Sequence, residues 1–431
     1  MRKVIFVSRM TSTIFILLFS ALQIGGSSVC ASADPVNSEW LPATAVVSGQ
    51  LSQVDRIPVL HLWGTPREQG YAHGYLLGPE IIALLDRIIG YRIWGLTAVQ
   101  WDGDVLAAAD RFRIVPEYLS ELKGMLEGIE ARAGGLADVP ALGRALQLAD
   151  LIAMTYVYDA KRLGCSSLVV WGSMTADAQV LVGRNMDWPV YQAFIETQQI
   201  VVVRAAWPDS ERVASVSVFW PGILGIATGM NANGIVLLNN DAYNERDPEQ
   251  DGGFYPFLLS NRTALESASA QSSAEDIAAA LRAEPSGVGR CVTVSLPANS
   301  EQPRGLVFEC DAIWSESGGL VVRTPNADES FVLTTNHHRL RGEPIPCAYY
   351  DIGESVLQSV ALGATSSMTV ATTWDLLTCL ITPGLTYHSV VFESDTMLMH
   401  LRLQENGTTA QHSRMVTFDV ASLLRELPES P

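Results

Sequence analysis

Residues 164–188 decide the fold: this stretch opens with Gly164-Cys165-Ser166-Ser167 and closes with Gly183-Arg184-Asn185-Met186-Asp187-Trp188. Between these two pieces, Ser167–Gly172 and Val180–Arg184 are short β-branched runs, and each predicts one strand of a hairpin. The cysteine directly follows a glycine and opens the first strand, as a self-cleaving nucleophile requires. Glycine leaves its own carbonyl unhindered and tolerates strained backbone angles.

The chemistry of such a junction follows from its two residues. The thiol of Cys165 can attack the carbonyl of Gly164, move the acyl group from nitrogen to sulfur, and leave a thioester that water hydrolyses. The new N-terminus carries an α-amine with a reference pKa near ~8, which serves as a general base without a histidine. Arg184 and Asp187 are predicted to lie beside Cys165, the guanidinium favouring the thiolate and the carboxylate holding the amine.

The rest of the chain predicts an α+β layered sandwich, because strands are grouped with helices before, between and after them. A polar linker is expected up to about Gly49, and the chain from Pro79 to Gly164 is predicted to be mostly helical, with Gly164 as a C-cap. The other expected strands are Gln199–Arg204, Val213–Trp220, Ile235–Asn239, Cys291–Leu296, Gly305–Glu309, Gly319–Arg323, Phe331–Thr335, Tyr387–Glu393, Met397–Leu403 and Met415–Val420. The expected helices are Leu146–Arg162, Leu259–Ala270, Ala274–Ala283, Ile352–Leu362 and Val370–Ile381.

The first 33 residues have the pattern of a secretory signal peptide. Basic residues precede the apolar run Ile14–Leu22, and Ala31-Ser32-Ala33 is a small-x-small cleavage site, so we expect a cut after Ala33 and a secreted or periplasmic protein. A membrane anchor is disfavoured because the apolar run is short, and Cys30 lacks the residues that usually precede a lipoprotein cysteine. The expected division is residues 34–164, a mostly helical segment that is released or retained as a small chain, and residues 165–431, the nucleophile-bearing chain; 34–431 form one structural unit.

Charge and composition limit the partners. Loss of the basic signal peptide takes the net charge from −18 to −21, which disfavours nucleic acid and anionic lipid as partners, and no later run is apolar enough to span a membrane. Of the remaining cysteines (Cys165, Cys291, Cys310, Cys347 and Cys379), four could form two disulfides in an oxidising compartment, and Cys291 with Cys310 is one plausible pair. Without a phosphate loop, a Cys-x-x-Cys pair or a clustered His motif, we expect no cofactor and no metal.

Five segments, in this order, resemble the acyl-coenzyme A:6-aminopenicillanate acyltransferase family of autoproteolytic cysteine hydrolases, which are relatives of the choloylglycine (bile-salt and penicillin V) hydrolases. The resemblance runs from about residue 57 to residue 425. The segments are Gly64-Thr65-Pro66-Arg67-Glu68-Gln69-Gly70-Tyr71-Ala72-His73-Gly74, Glu121–Gly128, the Cys165 hairpin, Asn231–Asn240 and Thr335-Asn336-His337-His338.

This resemblance implies a four-layer αββα N-terminal-nucleophile hydrolase sandwich with Cys165 as its nucleophile, bracketed by Arg184 and Asp187. It implies that Asn240, or its neighbour Asn239, donates its side-chain amide to the oxyanion, and that Asn336 orients the nucleophile's amine. The chain departs from the choloylglycine relatives after the Thr335–His338 segment, where Pro346–Tyr350 contains no arginine; Arg339 and Arg341 are the nearest substitutes.

Four functions fit these residues: a hydrolase of linear amide bonds in small N-acyl compounds, an acyltransferase to an amine, a non-catalytic binding relative, and a papain-like Cys–His peptidase. The first two share one acyl-thioester, and the last requires a histidine facing Cys165. The small and large chains are expected to stay associated, because the helices before Cys165 have apolar faces. Turn formation is the expected role of Asn231 and Asn233, and packing or surface exposure that of His73, His388 and the His337-His338 pair.

Overall fold

The computed structural model describes residues 40, 44–109, 112–156, 164–188, 191–242, 255–284, 286–297, 303–311, 319–326, 329–341, 344–380, 386–405 and 409–427. The predicted signal peptide and its cleavage site after Ala33 lie outside these ranges. Within them, no helix is both long and apolar enough to cross a membrane.

The described chain alternates between helices and strands. The strands are β1 (Ala45–Val46), β2 (Gly49–Val54), β3 (Ile57–Leu62), β4 (Asp138–Val139), β5 (Arg144–Ala145), β6 (Gly164–Gly172), β7 (Ala178–Asp187), β8 (Ile200–Arg204), β9 (Ser215–Phe219), β10 (Thr228–Asn231), β11 (Val236–Ala242), β12 (Gly289–Ser295), β13 (Gly305–Cys310), β14 (Leu320–Arg323), β15 (Phe331–Thr334), β16 (Thr386–Glu393), β17 (Leu398–Leu403) and β18 (Val416–Asp419). The main helices are α1 (Pro66–Gly90), α2 (Pro116–Ala133), α3 (Leu148–Tyr156), α4 (Gln192–Glu196), α5 (Phe257–Ser267), α6 (Ala274–Arg282), α7 (Ala348–Ala361), α8 (Val370–Cys379) and α9 (Val420–Arg425). Shorter helical turns cover Ile93–Gly95, Ala98–Gln100, Trp101–Val105, Leu106–Ala109, Pro140–Leu142 and Ala410–His412.

Two sheets form the centre of the molecule. The large sheet has ten strands in the order β1-β2-β3-β8-β9-β10-β11-β12-β13-β14, and the small sheet has six in the order β15-β6-β7-β16-β17-β18. Neighbouring strands are antiparallel except β3 and β8, which pair in parallel and join the segment before Cys165 to the chain after it. The nucleophile strand β6 lies inside the small sheet, between β15 and β7.

Alternating side chains divide the apolar residues into layers, because successive residues of a strand point to opposite faces. One face of each sheet packs against the other sheet, as Val182 of β7 and Val203 of β8 do. Helices α1–α3, α5 and α6 cover the outer face of the large sheet. Helices α7 and α8 cover the outer face of the small sheet. This packing confirms the predicted four-layer αββα sandwich.

The predicted strands and helices after Cys165 are present, with ends that differ by a few residues, and β10 is an additional strand. Gly164 is not a C-cap: it opens β6 and pairs with Asp187, because the hairpin ladder extends to the end of both strands. The helix predicted from Pro79 begins already at Pro66 and passes Pro79 with a kink at Leu77. The expected linker before Gly49 already includes β1, and β2 and β3 follow it, so the N-terminal segment contributes strands as well as helices.

The opening segment of the family resemblance has a structural explanation. Gly64 has a φ of +86° and leads into α1, where Thr65 is the N-cap, Pro66 fills the first turn and Glu68 completes a capping box. The later glycines of the segment lie where α1 crosses α2. A Cβ added at Gly70 or Gly74 would overlap backbone carbonyls of α2, and the same holds in reverse for Gly124 and Gly128 against α1. The two helices therefore pack backbone against backbone.

Replacing Gly124 by alanine should destabilise the protein by about 3 kcal/mol, because the new Cβ would overlap the carbonyl oxygen of Arg67 and force the two helices apart. Gly90, at the end of α1, is the matched control: no atom lies within 4 Å of its added Cβ. We expect Gly90→Ala to change the stability by less than about 1 kcal/mol. Urea unfolding followed by circular dichroism measures both; equal midpoints for the two variants would contradict close helix packing.

A buried network of charges joins the segments before and after Cys165. Glu121 of α2 accepts a hydrogen bond from Arg262 of α5 at 2.8 Å, and its other oxygen lies 4.0 Å from Arg204 of β8. Arg262 also contacts Glu266 at 2.9 Å. Burial opposes the charge of Glu266, but the surrounding arginines outweigh burial and lower its pKa. Removing one partner would leave an unpaired buried charge, which costs roughly 3–5 kcal/mol.

His73 lies beside this network, and its Nε2 accepts the backbone N–H of Gly222 at 3.0 Å. Burial, reinforced by Arg204 and Arg262, lowers the pKa of His73 to about 3. Its expected role in packing therefore includes one defined hydrogen bond.

This pKa predicts a loss of stability in acid. Below pH 6.5 the unfolded chain binds a proton at residue 73 that the folded chain accepts only near pH 3. Lowering the pH from 6.5 to 5 should therefore cost the wild type about 2 kcal/mol more than His73→Gln, which keeps an acceptor for Gly222. Denaturant unfolding at several pH values measures this, with the exposed His412→Gln as control. The same pH slope in the wild type and His73→Gln would contradict the assignment.

Candidate active site

Cys165 is the second residue of β6, and its side chain points into the layer between the two sheets. Its register partner in β7 is Met186, so Arg184, two residues earlier in β7, projects from the same face. The Cys165 side chain is 4% exposed and Arg184 is fully buried. The hairpin thus brings the two predicted residues together.

The guanidinium of Arg184 bridges the two sheets. Its Nη2 donates to Cys165 Sγ at 3.3 Å, and its Nη1 donates to the backbone carbonyl of Ala227, directly before β10 in the large sheet. Because arginine keeps its charge in proteins, this contact places a permanent positive charge next to the thiol of Cys165.

Asn336 lies directly at the backbone of Cys165. Its Oδ1 accepts the Cys165 N–H at 2.8 Å, and its Nδ2 donates to the carbonyl of Asp241 at 2.7 Å. The loop after Asn336 is fixed by the buried carboxylate of Glu309, which accepts the backbone N–H groups of residues 339, 340 and 341. The nitrogen that would become the α-amine on cleavage therefore already has a fixed acceptor.

Asp187 lies at the end of β7, opposite Gly164. A Cβ added to Gly164 would be 3.4 Å from the Cβ of Asp187, which places the acidic residue beside the Gly164–Cys165 bond. Thr386 of β16 donates to Asp187 Oδ1 at 2.5 Å. A bulge in β16 at this point, between Thr386 and His388, turns Tyr387 into an apolar cluster with Trp188 and Trp220.

Asn240 also projects into the layer between the sheets, but both ends of its amide contact the protein. Its Oδ1 accepts the hydroxyl of Ser167 at 2.7 Å, and its Nδ2 donates to the carbonyls of Thr334 and Thr335 at 3.2 and 3.4 Å. The side chain of Asn239 lies on the opposite face of β11, where its Nδ2 donates to Asp241 Oδ1 at 3.0 Å. In this arrangement Asn240 links β11 to β6 and β15.

The pKa of the Cys165 thiol depends on more than the predicted effect of Arg184. The pKa of Cys165 is raised to about 12: burial raises it most, Arg184 opposes this, and Asp241 and Asp187 add to the rise. Arg184 acts in the predicted direction, but desolvation outweighs it, so the thiol of the uncut chain is protonated at neutral pH.

Asp241 and Thr386 belong to this site and were not among the predicted residues. Asp241 directly follows Asn239-Asn240, so a charged residue at the end of a buried strand is the signal that indicates it. Thr386 carries no such signal, because only the bulge in β16 brings it to Asp187.

Several expectations about single residues have clear outcomes. Asn231 forms the expected turn by accepting the N–H groups of residues 233 and 235. Arg339 stacks on the ring of Tyr350, 3.7 Å from its centroid. The plausible pair Cys291 and Cys310 does not form a disulfide: both are free thiols. Their positions on β12 and β13 are out of register by one residue, so Cys291 faces the small sheet and Cys310 faces the helices.

Among the described residues, no group of three or more His, Cys, Asp or Glu side chains is arranged to hold a metal ion.

Comparison with known proteins gives limited similarity in sequence. No protein-family model matches the chain. Over 200 residues, 42% of the chain, it is 29% identical to an uncharacterized protein of Archaeoglobus fulgidus. The match spans about a third of that relative, 32% of its length.

Three solved structures are similar to part of the chain. They are a Caenorhabditis elegans ortholog of N-acylethanolamine-hydrolyzing acid amidase (16% identity, 59% of this chain and 99% of that one, TM-score 0.39), a variant of the conjugated bile acid hydrolase of Clostridium perfringens (13%, 60% and 94%, 0.41) and penicillin V acylase of Agrobacterium tumefaciens (14%, 59% and 91%, 0.38).

The contact between Arg184 and Cys165 predicts a measurable change in thiol reactivity. Replacing Arg184 by methionine removes the opposing charge, so the pKa of Cys165 should rise by about one unit or more and alkylation by iodoacetamide at pH 7 should slow about tenfold. Mass spectrometry of the Cys165 peptide, in a background with Cys347 and Cys379 changed to serine, gives the rate for intact and cut chains separately.

Arg290→Met is the matched control, because Arg290 of β12 is equally buried and contacts Ser286 instead of Cys165. Equal slowing by both substitutions would mean that the effect does not require contact with Cys165, and would contradict a direct effect on the thiol. Faster alkylation in either variant would instead indicate that the fold has loosened and exposed Cys165.

Proposed function

We propose that this protein is an exported cysteine N-terminal-nucleophile hydrolase that cuts itself between Gly164 and Cys165 and then hydrolyses linear amide bonds of small N-acyl compounds. One observation carries the proposal. Both reactive atoms of an N-terminal cysteine have a dedicated partner: Cys165 N donates to Asn336 Oδ1 at 2.8 Å, and Sγ accepts from the buried Arg184 at 3.3 Å. A structural cysteine requires neither partner.

The proposed self-cleavage is an N-to-S acyl shift followed by hydrolysis. The Sγ of Cys165 bonds to the carbonyl carbon of Gly164, the C–N bond breaks, and the thiol proton ends on the released nitrogen. Water then hydrolyses the thioester to a carboxylate on Gly164 and a free thiol on Cys165. Asp187, beside this bond, relays the proton from the thiol to the nitrogen of Cys165. The side chain of Asn336 stays hydrogen-bonded to that nitrogen during the reaction.

In the proposed turnover, the α-amine of Cys165 takes the thiol proton and passes it to the leaving amine of the substrate. The acyl group remains on Sγ until water hydrolyses it to an acid. Cutting places a free α-amine next to the thiol, and once the amine has taken the thiol proton the resulting ammonium stabilises the thiolate. The cut therefore activates a nucleophile whose pKa in the uncut chain is about 12.

Stabilisation of the oxyanion is assigned by the family resemblance to Asn240, where one amide donor is worth about 3 kcal/mol. For this role its Nδ2 must leave the carbonyls of Thr334 and Thr335, which it contacts at 3.2 and 3.4 Å. These long contacts are the weakest around Asn240, which is consistent with exchange for a substrate oxygen.

The surroundings of Cys165 favour an apolar acyl group. Cys165 and Met186 belong to the same apolar cluster as Trp188, Phe194 and Trp220. An acyl chain bound there would exchange water for aromatic contacts, whereas a charged group would lose its hydration.

A Cys–His peptidase is less well supported. His388 is on the strand next to Arg184, but its Nδ1 pairs with Gln199 Oε1 at 3.0 Å and its Nε2 with the Thr228 hydroxyl at 2.9 Å. With both ring nitrogens engaged, His388 is not oriented as a base for the thiol.

The proposal includes continued association of the two chains after the cut. The parallel pair β3–β8 and the Glu121–Arg262 ion pair both join residues before position 164 to residues after it. Separation would expose a strand edge and unpair two buried charges.

The proposal is tested by the intact mass and N-terminal sequence of the purified protein beside Cys165→Ala. The wild type should appear as two chains, the larger starting at Cys165, and the variant should stay whole, because only a thiol at position 165 can attack the Gly164 carbonyl. Both chains of the wild type should elute together in native gel filtration. An uncut wild type would rule out an α-amine base.

Activity on a panel of N-acyl amides, with and without an added amine, then separates hydrolysis from transfer. Release of free acid alone supports the hydrolase, and an acylated amine in the products supports the acyltransferase. A cut protein that forms no acyl-thioester with any substrate would indicate a binding relative.

A further inference from the structure

His388 lies in the layer between the sheets and is fully buried. It is the register partner of Met186, and Arg184 projects from the same face of the neighbouring strand. The ring reaches across to the large sheet, where it contacts Gln199 before β8 and Thr228, the first residue of β10. His388 and Arg184 therefore cross the gap between the sheets side by side.

The contacts that Arg184 and His388 make with the large sheet meet at one peptide, between Ala227 and Thr228. Arg184 donates to the carbonyl of Ala227, and His388 contacts the hydroxyl of the next residue, Thr228. The carbonyl of Ala227 also accepts the backbone N–H of Asn239 at 2.9 Å. The position of this peptide decides where the guanidinium of Arg184 sits, and hence its distance to the Cys165 thiol.

We propose that His388 is a positioning residue of the site: with Gln199 it fixes Thr228 and the Ala227 carbonyl, and so holds Arg184 against Cys165. The inference rests on the proposed function insofar as the thiol is the nucleophile. With Gln199 Oε1 as the acceptor, Nδ1 carries the ring proton and Nε2 accepts the Thr228 hydroxyl.

A neutral ring suits this task. Burial, reinforced by Arg184, lowers the pKa of His388 well below its ordinary value. A protonated ring would add a second positive charge beside Arg184 and could no longer accept from Thr228. The neutral ring instead connects the sheets without competing with Arg184 for the thiol.

The test is a series of substitutions at Thr228, which touches neither Cys165 nor Arg184 through its side chain. Thr228→Val removes the hydroxyl at constant shape, Thr228→Ser keeps it, and His388→Leu removes the ring contacts altogether. The matched control is Ser394→Ala, which removes a hydrogen bond between the sheets to Ser295, 2.9 Å long, beyond the far end of β16.

The measurement is the rate of Cys165 alkylation by iodoacetamide at pH 7, with Cys347 and Cys379 changed to serine and chains of the same cleavage state compared. A loosened Arg184 raises the thiol pKa, so Thr228→Val and His388→Leu should slow alkylation about three- to tenfold. Thr228→Ser and Ser394→Ala should match the wild type. A general effect on folding would not separate valine from serine at one position.

Two results would overturn the proposal: an unchanged rate in Thr228→Val, or equal slowing in Thr228→Val and Ser394→Ala. If His388→Leu does not fold, the comparison of Thr228→Val with Thr228→Ser still tests the proposal. Alkylation requires neither self-cleavage nor amide hydrolysis, so a protein that does neither would refute the proposed function and leave this test intact.

Discussion

The buried guanidinium of Arg184 is the constraint on which the site depends. It carries a permanent charge between the two sheets, where it contacts a thiol on one side and a backbone carbonyl of the other sheet on the opposite side. Because an unpaired buried charge is costly, the two sheets must keep their spacing and register at this point. The same requirement holds the Ala227 peptide, and through it β10, in place against the small sheet.

Near this charge, the backbone nitrogen and the sulfur of Cys165 each have a hydrogen-bond partner. The backbone nitrogen is bound by Asn336, whose loop is fixed by Glu309, and the sulfur is bound by Arg184. The thiol is nevertheless protonated, since burial outweighs the single arginine. In the proposed self-cleavage, the new α-amine would take the thiol proton and, as an ammonium, supply the positive charge that this site lacks.

The segment before Cys165 is part of the same sandwich. It provides strands β1–β3 to the large sheet and packs two helices through four glycines, while Glu121 reaches into a charge network with Arg262. The glycine spacing of the opening segment is therefore explained by helix packing. These glycines are required for the contact between α1 and α2, and they take no part in the site around Cys165.

The four-layer arrangement was implied only by the family resemblance. The sequence by itself determined a layered α+β sandwich, most strand and helix positions after Cys165, and the proximity of Cys165, Arg184 and Asp187. These features are local: alternation along a strand and a hairpin of two adjacent strands fix which residues are neighbours. Only the tertiary structure decided what lies across the gap between the sheets. Asn240 turns to Thr334, Asp241 and Thr386 join the site, and Cys291 and Cys310 face opposite ways. Register between distant strands and the bulge in β16 set these contacts, and neither leaves a periodic signal in the sequence. The pKa of the Cys165 thiol could not be predicted from the sequence either, because it depends on how completely the fold excludes water from Cys165.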